Sequence, residues 1–453
     1  MVDQSMRGFL SLLEAKGELH RVEKAVKARF EISAILSLRD RGAAQLFQAV
    51  DGYGMPVLGN LYVDRGRFAD ALACDATMLD QICLSALSSP IPPTVVDTGP
   101  VHEVVQTGAP DIGRLLPVPH WFEREAAPYI TAGVVIAKDP ETGRRNVSIA
   151  RFRLEGGNRL MAGVAKNHHL FILAEKARSA GKDLEIAIAI GNHAAVLLGS
   201  QMYVGLGDDE YDIVGGLLQE PLELVKCKTV DIEIPAQAEI SLEGRIKSGN
   251  LIEEGPVSEF PGFYVNYGPG LAVEIDCITH RHDAIYQAIL PGYAAEHCLL
   301  GAIAIGATLT RDLQRMIPAV RRVVVTEGGM GRLHAVIVIH RPRLGEGKRA
   351  AMLAMGLVNL LKHIVVVDDD IDPENPREVE WSLAARFRGN EDLVVIPGVK
   401  ADRCDPVHSD LTVTKIAMVA TTRPGDGEPD SRSEFARPDQ AVYENIKRQI
   451  HLY

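Results

Sequence analysis

TAGVVIAKDPETGRRNVSIARFRLEGGNRLMAGV, residues 131–164, decides the fold. Three β-rich runs, 131–138, 146–154 and 159–164, are separated by two stretches rich in turn formers. Asp139-Pro140-Glu141-Thr142-Gly143 and Glu155-Gly156-Gly157-Asn158 each reverse the chain. Short strands joined by tight turns predict a barrel or meander. Helical patterns interrupt this texture at 170–180 and 210–218, and strands return at 230–246 and 272–290.

The flanks read differently. Before the β-rich section, Ser5 can cap a helix carrying Phe9, Leu10, Leu12 and Leu13, with Gly17 as its stop. Helix patterns at 32–38 and 75–87 alternate with strand patterns at 46–50 and 56–61. Ser88-Ser89-Pro90-Ile91-Pro92-Pro93 then ends regular structure and reads as a linker. After the β-rich section, 297–317 is a long apolar helix pattern. Strands at 320–325, 333–340 and 364–367 alternate with helices at 348–361 and 378–386, which predicts a second α/β unit. The polar segment 421–432 is expected to be mobile, and 440–450 to form a short helix. The expected organisation is an N-terminal α/β region (1–105), a β-barrel domain (106–290), a connecting helix (291–318) and a C-terminal α/β domain (319–453).

Composition limits what such a chain does. At 453 residues it exceeds one ordinary core, so several domains are expected. Net charge is −12, which argues against a nucleic-acid partner but leaves room for a small anion bound by a local Arg. No apolar run reaches about 18 residues, and no basic-then-apolar leader opens the chain, so a cytoplasmic protein without a membrane span is expected. The six cysteines include no C-x-x-C pair and read as free thiols. Neither a dinucleotide fingerprint nor a P-loop is present. Glu327-Gly328-Gly329-Met330-Gly331 is glycine-rich, but such a piece alone reads as a turn.

Three segments carry candidate chemistry. Glu254-Gly255-Pro256-Val257-Ser258-Glu259 cannot be helical, so a turn places its two carboxylates. They form either a solvated acidic loop or a coupled acid–base pair facing one cavity. Asn146 and Arg151 lie five residues apart on one strand pattern, which points them to opposite faces. Either a bulge reunites them, or the site wraps the strand. His168-His169 and Asp208-Asp209-Glu210 open two helix patterns. They read as caps and structural histidines, or as the hard O/N donors of a Mn²⁺- or Mg²⁺-type site.

Taken together, Asn146, Arg151, His169, Glu210, Glu254-Gly255-Pro256 and Glu259 resemble, in order and spacing, the motifs of UbiD-like decarboxylases. Pro291-Gly292, Glu296-His297, Leu300-Gly301, Asp369-Asp370-Ile371-Asp372-Pro373 and Trp381-Ser382-Leu383-Ala384 extend the resemblance over most of the chain. It implies an α/β plus split β-barrel fold: a flavin-binding split barrel flanked by α/β regions, with a long connecting helix to a C-terminal α/β oligomerisation domain. It implies prenylated FMN bound through Mn²⁺ (or Mg²⁺), with K⁺ nearby. Asn146, His169 and Glu210 would hold the divalent ion. Arg151, Glu254 and Glu259 would be catalytic. Ser148, Ile149, Ala150, Arg151, His168, Ser200, Gln201 and Met202 would contact the flavin, and Phe260, Glu296, His297, Leu300 and part of 392–410 the substrate. The implied reaction is reversible non-oxidative decarboxylation of an aromatic, heteroaromatic or α,β-unsaturated acid through a covalent flavin adduct. A separate flavin prenyltransferase would supply the cofactor, and the protein would be a homodimer or higher homo-oligomer. Two rivals stand beside this reading: an FMN oxidoreductase on a similar barrel, and a non-catalytic subunit of a larger carboxylase.

Overall fold

Strands buried on both faces need apolar residues at every position, and Val134–Lys138 has them: Val134, Val135, Ile136 and Ala137 are all buried. Val134 and Ile136 join one core while Val135 and Ala137 join another, as strand alternation requires. The computed structural model, which describes residues 3–423 and 438–452, builds this strand into a nine-stranded antiparallel sheet. Its order is Tyr129–Ile130, Arg151–Gly156, Arg159–Gly163, Pro269–His280, Ile240–Glu253, Leu184–Ile190, Val134–Lys138 and Arg145–Ile149, with Val104–Thr107 also paired to Pro269–His280.

The edge strand Arg145–Ile149 continues, after Ala150 alone, into Arg151–Gly156 near the opposite edge. One residue spans only a few ångströms, roughly 3.5 Å. The sheet must therefore curl until its two edges approach. No strand pair closes it among the described residues, so it is an open curled sheet and not a closed barrel. The five-residue spacing of Asn146 and Arg151 is thereby explained. Neither a bulge nor a wrapped strand is involved, because the two residues belong to different strands.

Helices cover both faces. His169–Ser179 places Leu170, Leu173, Ala174 and Ala177 on one core. Ala194–Gly199 and Glu210–Leu218 pack on the other, together with the N-terminal helices. The N-terminal sheet, Leu19–Val22, Ala44–Phe47 and Val57–Gly59, recruits Tyr286–Gln287 from far along the chain. The segment 88–93 is tied down: the Ile91 N–H donates to the Asp212 carbonyl, and Thr94–Val95 pairs with the strand Glu223–Lys226.

The long helix is Ala295–Met316, and its two faces serve two cores. Leu299, Leu300, Ile303 and Ala304 join the core beneath the large sheet, while Ala302, Ile305, Leu309 and Leu313 join that of the C-terminal unit. That unit holds a five-stranded sheet in the order Val320–Val325, His334–Ile339, His363–Asp368, Thr412–Ala420 and Leu393–Lys400, with Glu346–Leu357 and Pro376–Arg386 as helices. Gln440–Gln449 is helical, as expected. Of the segment expected to be mobile, all beyond Arg423 lies outside the described residues. No described helix is long and apolar enough to cross a membrane.

Candidate active site

Ile240–Glu253 leaves the large sheet at Glu254, and Gly255 turns the chain at φ +75°, a conformation that favours glycine. Pro256–Ser258 then pairs with Tyr264–Asn266, so Glu254 and Glu259 stand at the two ends of a short strand. Arg151 meets both. Its Nε donates to Glu254 Oε1 at 2.6 Å, Nη2 to Glu254 Oε2 at 2.8 Å, and Nη1 to Glu259 Oε1 at 3.0 Å. The Glu254 contact is a bidentate fork, which fixes the guanidinium plane. The Tyr267 ring lies 4.7 Å from that guanidinium, and Arg153 donates to the carbonyls of Glu253 and Glu254. Burial works against the Arg151 charge, but the Glu254 hydrogen bond and the charges of Glu259 and Glu254 outweigh it and hold the group above its ordinary pKa.

The cavity beside this trio is lined by Ile149, Ala150, Arg151, His168, Gln201, Glu259, Phe260, His297 and Leu300 among the residues anticipated from sequence. Burial, with the charges of Arg332 and Arg151, pushes His297 down to about 4, so the imidazole is neutral. Its Nδ1 faces the Gly292 carbonyl at 3.0 Å, which puts the proton on Nδ1. Burial, with the charge of His169, likewise pushes His168 down to about 4, and its Nδ1 caps the following helix through Leu170 N–H.

Four residues expected at the flavin or the substrate, Glu296, Ser200, Met202 and Ser148, do not line this cavity. Glu296 is buried and accepts the Tyr62 N–H at 3.1 Å. Adjacent residues on a helix point about 100° apart, so His297 faces the cavity while Glu296 turns toward Tyr62 of the N-terminal unit. Ser200 spends its hydroxyl on the Leu197 carbonyl, and Met202 packs into the core, so neither side chain lines the cavity. Ser148 also lies outside the lining, with its Oγ buried and without a partner. Residues not anticipated are Glu125, Tyr267, Arg332 and Leu360, while Asp402 and Cys404 come from the 392–410 segment expected at the substrate. Glu125 accepts the N–H groups of Ser258 and Phe122, each at 3.2 Å, and burial pushes it up to about 7. The only sequence signal for it was an unperiodic charged triplet, Glu123-Arg124-Glu125.

Asn146, His169 and Glu210 converge next to this cavity. Asn146 Nδ2 donates to Glu210 Oε1 at 2.9 Å and lies 3.5 Å from His169 Nδ1, while Val147 N–H donates to Glu210 Oε2 at 2.7 Å. His169 and Glu210 are each the first residue of a helix, and Asp209 caps the second. Burial pushes Glu210 up to about 8 and His169 down from its ordinary value. Asn146 Oδ1 is buried with no partner among the described residues, and so is Ser148 Oγ two residues on, on the same strand face. A buried carboxyl without a cation, a neutral imidazole and an orphaned amide oxygen fit a hard divalent ion.

The site clamps one guanidinium between two carboxylates beside a cavity, and comparison with known proteins gives the class of enzyme it belongs to. Residues 94–294 match the Rift-related domain of 3-octaprenyl-4-hydroxybenzoate carboxy-lyase, residues 10–84 its N-terminal domain and residues 298–420 its C-terminal domain. The chain is 36% identical over 417 residues to anhydromevalonate phosphate decarboxylase of Methanothermobacter thermautotrophicus, covering 92% of this chain and 96% of that one. Among solved structures, the UbiD-class enzyme HmfF from Pelotomaculum thermopropionicum in complex with FMN superposes with a TM-score of 0.92 at 39% identity, covering 99% of this chain and 100% of that one. Vanillic acid decarboxylase of Sedimentibacter hydroxybenzoicus gives 0.89 at 27% identity, covering 100% and 99%. The protein is thus a carboxy-lyase. The chain belongs to the UbiD family.

Proposed function

We propose that this enzyme catalyses reversible non-oxidative decarboxylation of an aromatic, heteroaromatic or α,β-unsaturated carboxylic acid with prenylated FMN as its cofactor. The single observation that carries this reading is the Glu254–Arg151–Glu259 chain of ion pairs at 2.6 and 3.0 Å, facing a cavity beside a candidate metal cluster. HmfF has been solved with FMN and, in an evolved dimeric form, with prFMN, which supports a flavin here. Asn146, His169 and Glu210 would hold Mn²⁺ or Mg²⁺ at the cofactor phosphate, with K⁺ nearby. Gln201, Ile149, Ala150 and His168 would line the ring. We expect a homo-oligomer, a split-barrel flavin domain within about 106–290, and cofactor supplied by a separate prenyltransferase.

Loss of carbon dioxide leaves an electron pair on carbon, and side chains are poor sinks for it; the bound flavin would supply that sink. Arg151, held in one plane by its fork to Glu254, would orient the departing carboxylate through the N–H groups that its two carboxylate partners leave free. The bond from the substrate carbon to its carboxylate breaks, carbon dioxide leaves, and Glu259, having taken up a proton from solvent, would pass it to the carbon that held the carboxylate and return to its ionised form. Glu254 keeps Arg151 in place throughout. Phe260 and Leu300 give a slot suited to a planar acid. The relatives' names cover both vanillic acid and anhydromevalonate phosphate, so both aromatic and unsaturated acids stay in the proposal.

The test is carbon dioxide release from a panel of such acids. Protein made with a flavin prenyltransferase and then exposed to oxygen should be active, and protein made without one inactive. Glu259→Gln should keep fold and cofactor but lose about 10²–10⁴-fold in turnover. Equal activity from cofactor-free protein, or wild-type rates in Glu259→Gln, would refute the reading.

A further inference from the structure

The glycine-rich turn at 327–331 joins the strand Val320–Val325 to His334–Ile339, and it delivers Arg332 to the cavity wall. The turn is held internally: Gly331 N–H donates to the Thr326 carbonyl at 3.0 Å and Gly329 N–H to Thr326 Oγ1 at 3.1 Å. Gly331 has φ +67°, and a Cβ there would sit 2.1 Å from the Cys298 carbonyl oxygen, so the turn abuts the long helix. One turn further along that helix, Gly301 leaves room for the guanidinium itself. A Cβ at Gly301 would fall 1.9–2.0 Å from Arg332 Cζ, Nη1 and Nη2. Nη1 donates to the carbonyls of Gly331 at 2.9 Å and Cys298 at 3.3 Å, and the Phe260 ring lies 5.8 Å away.

The Arg332 charge is therefore placed by backbone and by missing side chains. Among the described residues it forms no ion pair, and Nε and Nη2 have no hydrogen-bond partner. Asp402 lines the same cavity, but its Oδ1 accepts the Cys404 N–H at 3.2 Å and it is not paired with Arg332. Arg151, in contrast, is neutralised by two carboxylates. A half-buried cation without a counter-ion is costly unless a ligand supplies one.

We propose that Arg332 recognises a second anionic group, a carboxylate or a phosphate, on a substrate whose reacting carboxylate lies at Arg151. This rests on the decarboxylase reading and narrows its substrate class to acids carrying two anionic groups. A guanidinium suits either anion, because its planar fork matches both.

The experiment uses enzyme loaded with prenylated FMN. It compares kcat/KM for acids bearing a distal carboxylate or a distal phosphate with their neutral distal esters or alcohols. The wild type should prefer at least one dianion on the order of 10–100-fold, the worth of a charge-assisted hydrogen bond. Arg332→Gln should collapse that ratio, and Arg332→Lys should retain part of it. Calorimetric binding of saturated, unreactive analogues provides a readout that needs no turnover. The larger of the two dianion ratios identifies the anion.

Ratios near one for both anions overturn the inference. So does an Arg332→Gln variant that keeps the wild-type ratio, or one that loses flavin while keeping it. If no acid is decarboxylated, the proposed function fails separately. Preferential dianion binding that Arg332→Gln abolishes would still support the second anion site.

Discussion

Gly163 pairs with Arg151 across adjacent strands, and this is the position where one methyl group should do most harm. A Cβ there would lie 2.6 Å from Arg151 Nε and from Glu254 Oε1, and 2.9 Å from Arg151 Cζ. Carbon needs roughly 3.5 Å from such atoms, so the fork must shift by about 1 Å. Arg151 cannot simply swing away, because it is held at three points by two carboxylates. For Gly163→Ala, overpacking of this kind costs about 1–3 kcal/mol, a fall of a few degrees in melting temperature. Displacement of a catalytic group by about 1 Å costs on the order of 10²-fold in turnover. Steady-state carbon dioxide release reports the second effect, and the flavin absorbance confirms that the cofactor is still bound. Gly356→Ala is the control: Gly356 sits in the helix Glu346–Leu357, and a Cβ there meets nothing within 4 Å. If Gly163→Ala retained wild-type turnover and stability, the fork would not be the rigid element described.

Replacing His169 or Glu210 by Ala should lower both divalent-metal and flavin content, measured by elemental analysis and absorbance; full retention of both would dissociate these residues from cofactor binding. Burial raises Glu296 to about 7 against an ordinary value of 4.5, so the folded state binds the extra proton between those two values. Its stability contribution is complete below about pH 4.5 and is lost as pH rises toward 7. Glu296→Gln keeps an acceptor for Tyr62 N–H and removes the buried charge. It should flatten that slope and gain about 1–3 kcal/mol above pH 7 in denaturant titrations; parallel pH slopes for variant and wild type would count against it.

What the chain discloses in advance is what short-range chemistry controls. Gly255-Pro256 forbids a helix, so a turn between Glu254 and Glu259 was legible, and the turns around 131–164 announced their strands. Leu184–Ile190 went unanticipated although it is central to the sheet. It is buried along almost its whole length, so it carries no alternation to betray it. The spacing of Asn146 and Arg151 looked wrong for one strand because it is two, and only the curl of the whole sheet reveals that.

Long-range closure explains the remaining misses. Glu125, Arg151, Tyr267, His297 and Arg332 come from five segments, and nothing within any one of them records its neighbours. Glu296 shows the same limit at close range. Beside His297 in sequence, it shared the motif but not the face, because one helical step turns a side chain by about 100°. Arg332 is the sharper case. The sequence showed only a glycine-rich turn there, yet the glycines serve a steric purpose: Gly331 lets the turn abut the long helix, and Gly301 on that helix leaves space for the guanidinium. A glycine's function here lies in the residue that occupies the room it leaves, and that residue is known only once both segments are in place.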